Sequence, residues 1–549
     1  MINNINIIQY RKLKDLSLSF TKGINAISGT NGTCKTSILH LLGNSLRAPS
    51  KKCSFINDGE CLSIIKAVNN VMNPKVESLT RGDQKYNDPA YGVVGSLFSV
   101  EYYGADSLSF RRHNSSQESR YAIKPKYKSG TKDRLPFCPV IYLGLSRLVP
   151  FGEFQNDDTL SNVKKKMPQE YLDEIAELYK KFTNYDISFN TIKQMGDIKV
   201  RSEFSSNVEG VDSNTISAGE DNLSIILTSL ISLKYYYDSI TSTNEIESLL
   251  LIDEMDATLH PAFQIKLLNL FREMSEAYKI QIVFTTHSMS LLEEMLAKKD
   301  NVIYLIDNET SVFIMEEPDI FKIKMHLHSL TEEDIYEDKV IPIFTEDDEA
   351  RCLLDILFDY YQENDSQFNR VKRFFHKVNT NISAENLSGI FKDSKILHTT
   401  MRSICVLDGD HISDITNYII ALPGKDAPET VLLKYVETLY DNDDSFWRDK
   451  KIVDKGYTKH YYVSNIKNEV KEFNEKLEEL HKKGESTKGK RRQFNKKLFN
   501  DNKNFFIFVF KRWVHDLSNK DEIDKFYNEL HTLFCKVAPY HEINPKEWT

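Results

Sequence analysis

Apolar and polar positions in the first half of the chain alternate in short runs, then fall into longer periodic stretches. NINIIQY, DLSLSF and INAIS cluster β-formers between Lys, Gly and Asp, and predict three strands. A glycine-bearing turn follows INAIS, and the spacing from about Lys35 to Leu46 predicts a helix. Residues 50–140 are less regular and read as an insertion on an α/β core. Helical patterning returns over 165–182. ISAGEDN with a helix behind it, the apolar run SLLLIDEMD, a helix near 262–277, the strand IQIVFTTH, another helix and the strand NVIYLID complete an α/β domain over residues 1–320.

The pattern turns charged and irregular near 317–339, which places a domain boundary there. A second α/β rhythm covers 335–456: VIPIFTEDDEA, a helix near 350–363, SICVLDGD, and a helix after Asp426. In LPGKDAPE, Asp426 is the expected N-cap and Glu429 its capping-box partner. Residues 457–549 read as a charged helical tail, interrupted by KKGESTKGKRRQFNKK, an expected exposed loop. The chain has no internal repeat of 20–50 residues.

Composition narrows the picture. A chain of 549 residues holds about two to four domains. With 40% hydrophobic and 28% charged residues, it is neither disordered nor fibrous. Lys and Arg number 71 against 80 Asp and Glu, a net charge of −9, so any nucleic-acid contact must come from local basic patches. Two such segments, 111–134 and 482–497, interleave Tyr121, Tyr127 and Phe494 with their charges, which suits phosphates and bases or equally a solvated loop. The 7 cysteines are scattered, without a C-x-x-C pair, as expected of reduced thiols. MINNINIIQYRKLKD lacks a signal-peptide apolar core, and no run reaches the ~18 apolar residues of a membrane span. The expectation is a soluble cytoplasmic protein.

The candidate chemistry centres on phosphate. Gly29, Thr30, Asn31, Gly32, Thr33, Cys34, Lys35, Thr36 and Ser37 follow a strand and open a helix, the context of a P-loop. Lys35 would reach the β- and γ-phosphates of ATP, and Thr36 would hold Mg2+. Cys34 stands where such loops carry glycine, a change expected to slow hydrolysis while leaving binding intact. The strand LLLIDE ends in Asp253, which would position Mg2+, and Glu254, which would orient or deprotonate the attacking water. Ser217-Ala218-Gly219-Glu220 opens a helix and forms a second anion site. His287 ends the strand QIVFTT and is the candidate γ-phosphate sensor. Among the histidines, His260 precedes a proline and reads as a packing or capping residue. No Gly-x-Ser-x-Gly elbow or Cys/His signature points to a nucleophile.

The order of these motifs resembles the ABC-type ATPases of the SMC and overcoming-lysogenization-defect groups. Ile252 to Pro261, IDEMDATLHP, is especially similar to that clan, and Gln9-Tyr10-Arg11 is similar to its aromatic–Arg element. The resemblance implies that Arg11 lies near the nucleotide. It also implies that Ser217 and Gly219 act in trans, two heads sandwiching two ATP molecules.

In the second domain, Glu346, Asp347, Asp348 and Glu349 follow one strand, and Asp408 and Asp410 follow another. Carboxylates at strand ends are hard ligands suited to Mg2+, and they can equally be solvated loop ends. Their order is similar to a Toprim domain, with Asp347 at the glycine position and a spacing one residue short. That similarity would make Glu346, Glu349, Asp408 and Asp410 metal ligands.

Across most of its length, including YLGLSRLVPFGE and LPGKDAPE, the chain resembles the PtuA-type ATPases of Septu and retron anti-phage defence systems. The resemblance implies an ATPase subunit that controls a small HNH endonuclease (PtuB), in retrons together with a reverse transcriptase and its RNA-linked DNA. The alternative is an Mg2+-dependent Toprim-type nuclease gated by ATP.

Overall fold

The computed structural model describes residues 1–79, 89–90, 92–113, 122–127, 134–149, 160–163, 165–195, 199–483 and 489–549. The chain divides into two compact units, Met1–Leu330 and Thr331–Thr549.

The first unit is built on an 11-stranded sheet with two halves. One half is parallel. Strands Val140–Leu143, Ser248–Ile252, Ile280–Thr285, Ile24–Gly29 and Asn301–Asn308 lie side by side in that order. These strands are rich in apolar residues because both faces of a parallel sheet are covered. Leu250 and Ile252 pack with residues of helices Ala218–Asp238 and Pro261–Tyr278. Leu249 and Leu251 pack on the opposite face with residues of helix Lys35–Asn44. The other half is mostly antiparallel, running through Leu13–Ser19 and Ile2–Tyr10 to Ser96–Tyr102, Ala105–His113 and Ala122–Lys126.

That second half corrects the expected insertion over about 50–140. Ile5 pairs with Val100 and Ile7 with Phe98, so the segment continues the main sheet. Leu97, Phe98, Val100 and Phe110 are buried in the same core as Ile38 and Leu42. Of the basic segment 111–134, Arg111, Arg112, Lys124 and Lys126 lie on paired strands. Arg120, Tyr121, Lys128 and Lys132 lie outside the described residues, as do Pro150 to Glu153 of YLGLSRLVPFGE.

The second unit carries four parallel strands in the order Phe375–Lys377, Ile341–Thr345, Ile404–Leu407, Ile419–Ala421. Its tail is not a separate region. Helix Lys503–Val514 presents Phe505, Phe506, Val509, Phe510 and Trp513 along one stripe, and helix Lys520–Val537 presents Phe526, Leu530 and Phe534. All of them join the single core that holds Ile343, Leu354, Leu407 and Leu432. Trp548 is buried against Phe368, Phe375 and Phe534. The basic interruption is partly helix Lys490–Asp501, and 484–488 lie outside the described residues.

Candidate functional site

The buried strand Ile24–Gly29 delivers its chain into the turn before helix Lys35–Asn44. Gly29 has φ 144°, and a Cβ there would collide with the carbonyl oxygen of Leu305 on the neighbouring strand. Only glycine fits. Asn31 and Gly32 are exposed at the tip, and Thr33 Oγ1 donates inward to the Thr30 carbonyl at 2.8 Å. Lys35 Nζ donates to the Gly29 and Thr30 carbonyls at 2.8 and 3.0 Å. Burial draws its pKa down, while Glu254, Asp253 and Asp256 act against that shift. Cys34 keeps the loop conformation by taking the left-handed region itself, at φ 63° and ψ 25°. This conformation carries a backbone strain of about 1 kcal/mol in a residue with a side chain.

The acidic strand Ser248–Ile252 ends beside this loop. Asp253 is 2% exposed, and its two oxygens are held apart by two hydroxyls. Thr36 Oγ1 donates to Oδ2 and Thr285 Oγ1 to Oδ1, each at 2.8 Å. Thr36 and Asp253 thus bring two hard oxygen donors together at the helix N-terminus, a donor set that fits Mg2+. Glu254 is half-buried with φ 48°. Its backbone N–H donates to Thr285 Oγ1 at 2.6 Å, which fixes the turn. His287 is half-buried at the end of strand Ile280–Thr285, and its N–H donates to both oxygens of Asp256 at 3.3 Å. Burial, then the nearby Lys35 charge, lowers the His287 pKa, so its imidazole is neutral at pH 7. Arg11, at φ 57°, donates to Ser37 Oγ at 3.0 Å, which ties the first hairpin to the loop helix.

Ser217 caps helix Ala218–Asp238. Its Oγ accepts from the Glu220 N–H, and the Glu220 carboxylate accepts from the Ser217 N–H at 2.9 Å, a capping box. Gly219 is demanded by packing: a Cβ there would lie 2.5 Å from the Thr258 carbonyl. Among the described residues, no hydrogen bond joins Ser217, Gly219 or Glu220 to residues 29–37. His260 is an N-cap, its Nδ1 accepting from Ala262 N–H at 3.2 Å.

Pattern reading missed the residues that hold this turn in shape. Thr285 directly precedes the Thr286-His287 pair, and a hydroxyl ending an otherwise apolar strand was the available signal. Arg147, 3% exposed, lies just beyond the edge strand Val140–Leu143 and bonds the Glu254 carbonyl at 2.8 Å. Nothing local marks it.

In the second unit, Glu346 and Asp408 follow adjacent parallel strands, and Asp408 N–H donates to Glu346 Oε1 at 2.9 Å. The expected four metal ligands do not converge. Asp347 caps helix Asp348–Asn364, Glu349 Oε1 accepts from Asn500, and Asp410 lies 3.6 Å from His411. Among the described residues, no three His, Cys, Asp or Glu side chains form a metal-binding group. The physical reason is helix Lys490–Asp501. Arg492 bonds Glu346 and Asp408 at 3.2 Å each, and Lys496 bonds Asp347. Burial, followed by the charges of Glu346, Asp347 and Glu429, pushes the Asp408 pKa up to about 8. Glu429 is itself buried, with its pKa raised by burial. Helix Pro428–Asn442 is capped by Ala427 with Pro428 at N1, and Asp426 pairs with Lys434 at 2.5 Å. Asp426 is therefore not the cap.

A P-loop on the parallel half of the sheet, an acidic strand end beside it and a capped Ser-x-Gly-Glu helix are the features of an ATPase domain. Residues 143–293 match the family AAA_21, described as "AAA domain, putative AbiEii toxin, Type IV TA system". The chain is similar to Septu protein PtuA of Bacillus thuringiensis, with 23% identity over 348 residues, covering 62% of this chain and 83% of that one. These two findings support a PtuA-type ATPase. Among solved structures, the chain is similar to the SMC head domain from Thermotoga maritima (13% identity, TM-score 0.32, covering 58% of this chain and 99% of that one). It is also similar to the recombination mediator protein RecF (11% identity, TM-score 0.32, 58% and 98% covered). Among the described residues, no helix is long and apolar enough to cross a membrane.

Proposed function

We propose that this chain binds ATP with Mg2+, hydrolyses it slowly, and serves as the ATPase subunit of an anti-phage defence complex. The convergence of Lys35, Thr36 and Asp253 on one helix N-terminus carries the reading. Gly29, Asn31, Gly32, Thr33, Cys34, Lys35 and Ser37 cradle the phosphates through backbone N–H groups and the helix dipole. Lys35 turns from its loop carbonyls onto the β- and γ-phosphates. Thr36 and Asp253 are the residues that would hold Mg2+, which would supply charge neutralisation to the phosphates there. Glu254 takes the proton of the attacking water, and neutral His287 donates a hydrogen bond to the γ-phosphate.

Ser217 is exposed at the cap of its helix, with Gly219 and Glu220 in the same turn, which supports their engaging nucleotide on a second copy. ATP bound at such an interface stabilises the dimer by linkage. The likeness to Septu protein PtuA is the ground for proposing a PtuB-like HNH endonuclease as the controlled partner; a reverse transcriptase and its RNA-linked DNA are proposed only from the motif resemblance to retron systems. Co-purification with these partners in ATP, followed by mass measurement, tests the assembly. For the site, Glu254→Gln should lower hydrolysis about 100-fold or more at unchanged ATP affinity. Hydrolysis at the native rate in that variant would end the assignment of Glu254.

A further inference from the structure

Arg147 is a buried cation, and among the described residues no carboxylate lies at hydrogen-bond distance from it. It lies in the short 3-10 turn Leu145–Leu148, and its guanidinium is used on every side. Nη1 donates to the Leu143 and Gly144 carbonyls at 3.3 and 3.0 Å. Nη2 donates to the Glu254 carbonyl at 2.8 Å. Nε donates to Asn222 Oδ1 at 2.8 Å. Asn222 is fully buried in the second turn of the helix that Ser217 caps.

That helix start touches the turn after Glu254 in three further places. Asn222 Nδ2 donates to the Ala257 carbonyl at 3.0 Å and Thr258 Oγ1 at 3.4 Å. Gly219 lies against the Thr258 carbonyl so closely that a side chain is excluded. Lys199 bonds Asp221 at 2.5 Å and the Arg147 carbonyl at 3.3 Å, which adds a second tie from the same helix. Glu254 meanwhile holds a left-handed backbone conformation at φ 48°. Such a conformation persists only where neighbours over-determine it, and here they are Thr285 on the N–H and Arg147 on the carbonyl.

We propose that Arg147 is a positioning residue that locks the Glu254 turn to the helix capped by Ser217. Movement of that helix, as when a second copy's nucleotide docks on it, then reaches the hydrolytic carboxylate through the guanidinium. The proposal rests on the reading of Glu254 as the group that activates water. A planar guanidinium suits this task because one rigid group can hold four oxygens in fixed directions, which a lysine ammonium cannot.

The test uses the full chain, with steady-state ATP hydrolysis, equilibrium binding of ATP and the thermal unfolding midpoint measured on each variant. Arg147→Met should lower kcat about 10- to 100-fold, the effect of a small misplacement of a reacting group. ATP affinity should stay within about threefold, because nothing that grips phosphate has changed. Asn222→Ala keeps the arginine and should lower kcat in the same sense. The double variant should be no worse than Arg147→Met alone, since both remove one connection. Arg147→Lys should fail to restore kcat. If Arg147→Met does not fold, Asn222→Ala alone decides by the same split. Unchanged kcat in Asn222→Ala, or parallel loss of kcat and ATP affinity, overturns the lock. Failure of the underlying reading shows separately, as native hydrolysis in Glu254→Gln.

Discussion

Both units end parallel strands in carboxylates, and the two strand ends are prepared for opposite company. Asp253 is met by the hydroxyls of Thr36 and Thr285, neutral groups that orient its oxygens without cancelling their charge. Glu346, Asp347 and Asp408 are met by Arg492 and Lys496 from their own unit. The first arrangement leaves the Asp253 charge uncancelled by the groups bonded to it, as the proposed Mg2+ role requires. The second supplies the cations internally, and burial pushes the Asp408 pKa up to about 8 even against the Arg492 charge. The company of an acidic strand end thus depends on what packs over it, hydroxyls in the first unit and basic side chains in the second.

Lys35→Ala should produce the largest effect on the contrast. Losing charge-assisted bonds to two phosphates should weaken ATP binding about 100-fold or more, about 3 kcal/mol, measured by titration calorimetry. Native affinity in this variant would remove the first site from the comparison.

The second unit should respond instead to pH. Asp408 is raised from 3.8 to about 8 in the fold, so the folded state holds a proton that the unfolded chain has released. Its stabilising contribution is full below the unfolded value and is lost as pH rises through the folded one. Asp408→Asn, neutral throughout, should unfold with a weaker pH dependence between about pH 4 and pH 8. At higher pH it should be more stable than the native chain.

A smaller change would bring the two strand ends closer in character. Removing the internal cations by Arg492→Ala and Lys496→Ala together should let Mg2+ raise the unfolding midpoint of the second unit. At tenfold saturation that is about 1.4 kcal/mol, while the native second unit shows no such rise. A variant equally indifferent to Mg2+ would show that the carboxylates cannot be reopened. The smallest effect is expected at Cys34→Gly, which relieves the left-handed strain and should stabilise the first unit by about 1 kcal/mol in thermal unfolding.

The phosphate loop was legible because its chemistry is local. Nine consecutive residues carry the turn, the lysine and the threonine, and the strand and helix around them have plain periodicity. The acidic pair of Asp253 and Glu254 was legible for the same reason, as the abrupt end of an apolar run. The antiparallel half of the large sheet was not, since Ile5 finds Val100 and Ile7 finds Phe98 across some ninety residues of irregular pattern. The tail read as an independent helical region because its charges dominate the composition. Its aromatic stripe shows its role only against the core of the second unit.

By itself, then, the order of residues determined the nucleotide-binding chemistry, since backbone N–H groups, a lysine and a hydroxyl at a helix start need only short-range spacing. Tertiary structure decided which carboxylates remain open to a cation. Arg492 reaches Glu346 across 146 positions, and Arg147 reaches the Glu254 carbonyl across 107. Electrostatic company is a property of distance in space, and burial multiplies its effect, so neither could be read along the chain.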